Sequence, residues 1–209
     1  MKYTRLLQKI LFYLSSFIPL YLLLVIQNVQ IRNSKGKLFN TKEFFNQFTN
    51  TSITVSLFWS VLLILFLLSL FGVFLFFLVY AKKEGRVATI KNTEFIREDT
   101  MGYIVTYIVP LLSMNIESSR SLLINFLLFI IIGTFYVRND QVFMNPLYNV
   151  FGYNVFSADK DIYITKIRKS NLRIIAKQNL SVKKINLLGD IYVLKEHKVN
   201  NRNSDDLYG

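Results

Sequence analysis

Thirty consecutive residues, Thr51 to Tyr80 (TSITVSLFWSVLLILFLLSLFGVFLFFLVY), carry no charge, and no formally charged residue falls between Glu43 and Lys82. A hydrocarbon core about 30 Å thick is crossed by about 20 apolar helical residues at 1.5 Å each, so this stretch is long enough to span a bilayer. A buried helix of a water-soluble domain seldom runs past about 20 residues without caps or charges. Lipid is therefore taken as one solvent of this chain. Its polar backbone groups must be satisfied inside helices wherever it meets that solvent.

The remaining composition narrows the class further. Among 209 residues the net charge is +12, aromatic residues make up 15% and mean hydropathy is +0.35. Apolar runs beside a basic excess fit a membrane protein with positively charged cytosolic loops rather than a soluble nucleic-acid binder. Cysteine is absent, which excludes a disulfide framework and a thiolate metal site. With His197 as the single histidine, zinc chemistry and histidine acid–base catalysis have almost nothing to use. The expectation is no enzyme, no metal and no cofactor.

The amino end is short and basic (Lys2, Arg5, Lys9) and leads into an apolar run, Ile10 to Ile26, interrupted by Ser15, Ser16 and Pro19. It resembles a signal peptide, but cleavage favours small residues and the first alanine is Ala81. An uncleaved first span over 10–26, kinked by Pro19, is expected. Residues 27–50 form a polar connector in which Asn40 and Glu43 have capping-box spacing. Phe44, Phe45 and Phe48 cluster on one side of the helix that follows. Such a helix lies at the membrane surface, as an anchor or as a contact for something arriving from outside.

The second span covers 51–80. Residues 81–100 mix both charges and read as a solvated connector. Two shorter apolar runs, 101–116 and 121–137, flank Glu117-Ser118-Ser119-Arg120 and predict a tight helical hairpin. Pro110 bends its first arm, and a re-entrant pair is the alternative to two full spans. Of the 25 Lys and Arg residues, all but the four in 27–50 and Arg120 lie in the amino end, the 81–100 connector and the tail. That asymmetry places both termini in the cytoplasm.

Residues 138–152 read as an interfacial joint, with a turn at Asn145-Pro146 and Gly152 as punctuation. From Tyr153 the pattern becomes strand-like: Tyr153–Ser157, Asp161–Ile167, Leu172–Lys177, Ile185–Leu188 and Ile191–Lys195, with Gly189-Asp190 turning the last hairpin. The expected architecture is an α-helical membrane protein of about four transmembrane helices (domain 1–137) with a small C-terminal antiparallel β domain (153–196) and a disordered tail (197–209). So small a β unit is not expected to stand alone and needs helices, copies or a partner to pack on.

No nucleophile–base pair, phosphate-cradling loop or metal motif is present. Ser60 and Ser69 read as helix-packing residues, and Asn125 as an interhelical contact deep in the last span, as does the bend at Pro110. No charge lies deep in a run, which argues against a coupled transporter. The strongest charged feature is Lys160, Lys166, Arg168, Lys169, Arg173, Lys177, Lys183 and Lys184, answered over the same stretch only by Asp161. This face suits anionic membrane lipid or an acidic cytosolic protein. Direct nucleic-acid contact is disfavoured, because no stacking aromatics interleave the charges.

Val105-Thr106-Tyr107-Ile108-Val109-Pro110-Leu111-Leu112, followed by Asn145-Pro146-Leu147 and Gly152-Tyr153-Asn154-Val155, resembles the KwaA family, the membrane subunit of the Kiwa anti-phage defence system. The resemblance covers most of the chain but carries no recorded active-site residue onto it. It implies a four-helix inner-membrane protein that self-associates as a homo-oligomer and works with a cytosolic DNA-binding partner, KwaB. The first reading of function is a membrane sensor and scaffold passing a change in helix packing through Asn145, Pro146 and Gly152 to the tail. The alternatives are a small oligomeric pore that depolarises the cell and a lipid-binding accessory protein.

Overall fold

The uncharged stretch forms one helix in the computed structural model, which describes residues 2–31, 37–49, 52–80, 82–91, 93–94 and 113–197. Ser52 caps it, its Oγ accepting from the Val55 N–H at 3.4 Å. The helix runs as α4 (Ile53–Phe74) and widens to a π-helical end over Leu75–Tyr80. At 28 residues, Ile53–Tyr80 is long enough to cross a bilayer. Its Leu57, Leu63, Ile64 and Phe71 remain more than half exposed, as side chains solvated by lipid tails can.

The first apolar run is broken rather than continuous. α1 (Lys2–Ser16) and α2 (Ile18–Asn28) meet at Phe17 with a 43° bend. Pro19 is the cause anticipated, but it acts two residues downstream of the break, in the first turn of α2, where its missing N–H is least costly. α3 (Thr41–Thr49) follows, capped as anticipated: the Glu43 N–H donates to Asn40 Oδ1 at 2.9 Å and the Asn40 N–H to Glu43 Oε2 at 3.0 Å.

α5 (Ser119–Arg138) is a second helix of spanning length. Among the described residues two helices are long and apolar enough to cross a membrane, or three if α1 and α2 count as one broken span. The arm expected over 101–116, with Pro110, lies outside the described residues except for Ser113–Ile116, which turn into α5. After α5 come a 3-10 turn, Gln141–Met144, and the short α6, Leu147–Val150.

The chain divides into two compact units: Met1–Phe77 with Glu98–Leu147, and Leu78–Arg97 with Tyr148–Gly209. In the first, α1 packs against α4 and α5 at unusually short range. A β-carbon on Gly72 would lie 2.6 Å from the Leu11 carbonyl oxygen, and one on Gly133 would lie 2.7 Å from Tyr13 Cε1. Hydrogen at these two positions is what lets the helices approach, as small residues do at helix interfaces in lipid.

The second unit holds a five-stranded sheet of order β1-β4-β5-β3-β2, from β1 (Arg86–Ala88), β2 (Asn154–Ala158), β3 (Asp161–Thr165), β4 (Val182–Leu188) and β5 (Ile191–Glu196). Three expectations are corrected here. The sheet is mixed rather than an antiparallel meander, because β3 and β5 run parallel, pairing Tyr163 with Tyr192 and Thr165 with Leu194. Parallel neighbours need a crossover, and the segment expected as a strand at Leu172–Lys177 is helix α7 (Lys169–Lys177). Leu172 and Ile175, three apart, are buried, while Ile174 is 49% exposed, a helical and not an alternating pattern. Asn179, at φ +51°, ends the helix: the Leu180 N–H closes back on the Ile175 carbonyl at 3.0 Å in a Schellman arrangement.

The third correction concerns the charged connector, which is part of the sheet. β1 pairs with β4, Ile90 is fully buried beside Phe156, Leu172, Val182 and Leu194, and Glu94 exchanges two backbone bonds with Ser157 on β2 at 2.8 and 2.7 Å. The connector thus covers both outer strands and supplies a core residue between them. A unit this small gains core and loses open edges in one stroke.

Candidate functional site

The residues read from sequence as a coupling joint converge on the break between α1 and α2. Without an N–H on Pro19 the Ser15 carbonyl has no helical donor, and the Phe17 N–H turns to Leu14 O at 3.1 Å, leaving Tyr13 O. Two serine hydroxyls turn back onto the carbonyls of the preceding turn. Ser16 Oγ donates to Tyr13 O at 2.6 Å and Ser15 Oγ to Phe12 O at 2.8 Å. Asn145, only 2% exposed, reaches in from the other end of the unit, and its Nδ2 donates to Ser15 Oγ at 2.9 Å and to Phe12 O at 3.5 Å. Its Oδ1 accepts the Leu147 N–H at 3.0 Å across Pro146, which sets the turn that starts α6. One buried amide therefore ties a helix break to the turn after the 3-10 segment.

Two further ties hold the same region. Lys9 forms an ion pair with Asp140 and also donates to Val137 O in the last turn of α5, where a cation is favoured. Tyr13 packs over Gly133 and donates its hydroxyl to Phe129 O at 2.6 Å. From sequence Lys9 was read only as part of the basic amino end and Ser15 as an interruption of the first apolar run, and Tyr13 was passed over. The Ser-Ser pair four and three residues before Pro19 was the available signal. Gly152, in the second unit, takes φ +75° after α6, closing a turn in which the Tyr153 N–H donates to Tyr148 O at 2.7 Å. Asn125 lines an apolar groove of about 620 Å³ with residues of α2 and α4, and its Nδ2 donates to Ser121 O within its own helix at 2.9 Å.

The basic residues do not form one surface. Lys169, Arg173 and Lys177 recur every four residues along the exposed side of α7, with Arg168 at its cap, so they share one stripe. Strand register puts Lys183 on the opposite sheet face, while Lys166 follows directly after the end of β3. Lys183 stands directly across from Lys195, a residue that sequence reasoning passed over. Burial, and then the neighbouring Lys183 charge, hold the Lys195 ammonium below its usual value. Lys166 and Lys195 flank a groove of about 350 Å³ that also touches Tyr153 and Glu196, and Lys166 Nζ lies 5.0 Å from the Tyr153 ring centre.

Lys184 has a different role. Its Nζ is 2.5 Å from Asp161 Oδ2, 3.0 Å from the Tyr163 hydroxyl and 3.7 Å from the centre of the Tyr192 ring. Burial alone would lower its pKa, but the hydrogen bonds to Asp161 and Tyr163 and their charges outweigh that and hold it above the ordinary value. This lysine and the one acid of the stretch satisfy each other inside the unit. Among the described residues no group of His, Asp or Glu side chains gathers to hold a metal ion.

A family profile described as "Anti-phage protein KwaA" matches residues 8–193. The chain belongs to the KwaA family of anti-phage proteins. The KwaA match runs from α1 into β5, so helices, connector and sheet all fall within it. No curated protein and no solved structure matches the chain.

Proposed function

We propose that this KwaA protein is a non-catalytic membrane sensor and scaffold of a Kiwa-type defence complex. It self-associates in the inner membrane with both termini cytoplasmic and docks a cytosolic DNA-binding partner on its sheet unit. The single observation that carries this reading is the Asn145 bridge. A change in the bend between α1 and α2, brought about by membrane or oligomer geometry, shifts Ser15 and Phe12 against an amide that also holds the start of α6. A polar contact of this kind in an apolar setting has few alternative partners, so it either holds or breaks. On the sheet unit, the Lys169, Arg173 and Lys177 stripe is the docking face of choice. Lys184 is already paired inside the unit.

The test reverses the stripe (Lys169→Glu, Arg173→Glu, Lys177→Glu) in a tagged full-length chain expressed with its neighbouring genes. Loss of the co-purifying cytosolic partner and loss of phage protection, with membrane insertion intact, is the expected result. Undiminished partner recovery would remove the docking assignment. Protection that survives with Asn145→Ala and a tail truncated at Gly152 would remove the coupling mechanism.

A further inference from the structure

The connector after α2 is held in place at several points, yet it shows its largest apolar side chains outward. The Gln30 N–H donates to Gln47 Oε1 at 2.9 Å, Gln47 Nε2 returns to Gln30 O at 3.3 Å, and the Phe39 N–H donates to Ile31 O at 3.0 Å. Within this pinned segment Ile31 is 62%, Leu38 68% and Phe45 62% exposed, and Ile53, which opens α4, is 88% exposed. Single exposed apolar residues are ordinary on a protein surface, whereas three on the described parts of one polar connector mark a binding feature.

The geometry of α3 indicates what covers them. At 3.6 residues per turn, Phe44, Phe48 and Phe45 span an arc of about 100°. Phe44 and Phe48 take up one edge of it: their rings are 5.4 Å apart, and Phe48 meets Trp59 of α4 edge-on at 4.8 Å. Phe45 continues the arc away from α4, and Glu43 and Asn46 occupy the opposite, exposed side. One edge against a spanning helix, an apolar underside and a polar top is the arrangement of a helix lying in a membrane interface. Indole rings favour the membrane interface, and Trp59, which Phe48 meets, lies about two turns from the Ser52 cap of a helix long and apolar enough to span a bilayer.

We propose that Ile31, Leu38 and Phe45 form a wedge inserted in the headgroup–acyl boundary of the leaflet at the Ser52 end of α4. The occupant is the lipid surface and not a second copy or a soluble ligand. The wedge fixes the depth of α4 through the Phe48–Trp59 contact, and with it the height at which α3 rides on the membrane. The inference rests on α4 spanning the bilayer and is independent of the docking reading.

The chain has no cysteine and one tryptophan, so single-cysteine labelling needs no background removal. Leu38→Cys, Phe45→Cys and, as a control on the exposed side of α4, Ile64→Cys are labelled with an environment-sensitive fluorophore in the full-length protein. The samples are reconstituted in phosphatidylethanolamine–phosphatidylglycerol vesicles carrying nitroxide lipids at shallow or deep positions. The expected result is blue-shifted emission at 38 and 45 quenched best by shallow nitroxide, and at 64 by deep nitroxide. Quenching at 38 and 45 only by aqueous iodide, with 64 still quenched by deep nitroxide, overturns the wedge alone. Energy transfer between labels at 45 on different copies, without lipid quenching there, overturns it in favour of a copy-to-copy contact. No lipid quenching at 64 overturns the membrane reading on which both rest. Trp59 emission of the unlabelled protein, read against the same lipids, must follow the shallow pattern, and its failure to do so counts against the wedge even where a labelled variant misfolds.

Discussion

Asn145 Nδ2 donates to Ser15 Oγ at 2.9 Å across 130 residues of sequence, joining the turn before α6 to the break between α1 and α2. The bond is buried and its amide also supplies the acceptor for the Leu147 N–H, so a single side chain serves two backbone irregularities at once. Buried irregular backbone needs side-chain partners to satisfy its polar groups, which is the physical reason for an asparagine here.

Removing that amide has a readable cost. Asn145→Ala leaves the Leu147 N–H without its side-chain acceptor and Ser15 without a donor, and is expected to destabilise the protein by about 1–3 kcal/mol. Ser15→Ala alone costs less. A double-mutant cycle, measured by thermal unfolding of the full-length protein in detergent, is expected to show a coupling of about 0.6–2 kcal/mol between the two. Additive effects would mean that the bond does not form.

Gly72 and Gly133 set the distance between helices. Gly72→Ala drives a methyl group into the Leu11 backbone oxygen, which cannot turn aside, and is expected to cost about 1–3 kcal/mol. Gly133→Ala meets the Tyr13 ring, which the Phe129 hydrogen bond holds in place, so it also destabilises, but less. Thermal midpoints of the two variants, compared with Ala substitutions on the exposed face of α4, check the ranking.

The lysines of β4 and β5 respond oppositely to pH. Lys184 and Tyr163 both have raised values in the folded unit, Tyr163 through burial, so their stabilisation is complete below the ordinary values of 10.5 and 10.0. It is lost as pH climbs through the higher folded values. The folded value of Lys195 is lowered, so its ammonium opposes folding at neutral pH, and this opposition fades as pH approaches 10.5. At pH 7.5, Lys184→Met is expected to weaken the unit by about 0.5–1 kcal/mol and Lys195→Met to leave it unchanged or strengthen it. Tyrosine near-ultraviolet dichroism during urea titration of the full chain reads both, since Tyr163 stacks on Phe156 and Tyr192.

Asn179 stops α7 in a left-handed conformation that glycine adopts without strain. Asn179→Gly is therefore expected to be neutral or stabilising. Asn179→Val is expected to cost at least about 1–2 kcal/mol. Hydrogen exchange of the Leu180 amide, which closes on Ile175 O, reports the cap directly.

The two helices long and apolar enough to cross a membrane were legible because a long apolar run that meets lipid must satisfy its backbone as a helix, a rule readable along the chain alone. Ile53–Tyr80 and Ser119–Arg138 fall close to the expected 51–80 and 121–137 for that reason. The Asn40–Glu43 cap was equally local. The sheet was legible only in its hairpin at Gly189-Asp190 and its strand positions. Six residues, Leu172 to Lys177, satisfy both an alternating and a helical pattern, and Asn179 was the overlooked punctuation.

What tertiary structure alone decided follows from distance along the chain. The connector's Ile90 becomes core, and β1 and Glu94 become edge cover, only because strands some 60 to 100 residues away present matching backbone. Asn145 finds Ser15, and Lys184 is withdrawn from the basic surface by Asp161 and Tyr163, through contacts that no local pattern encodes. Hydrophobicity and charge written along a chain determine which solvent each segment meets. The pairing of its polar groups depends on which segments folding brings together.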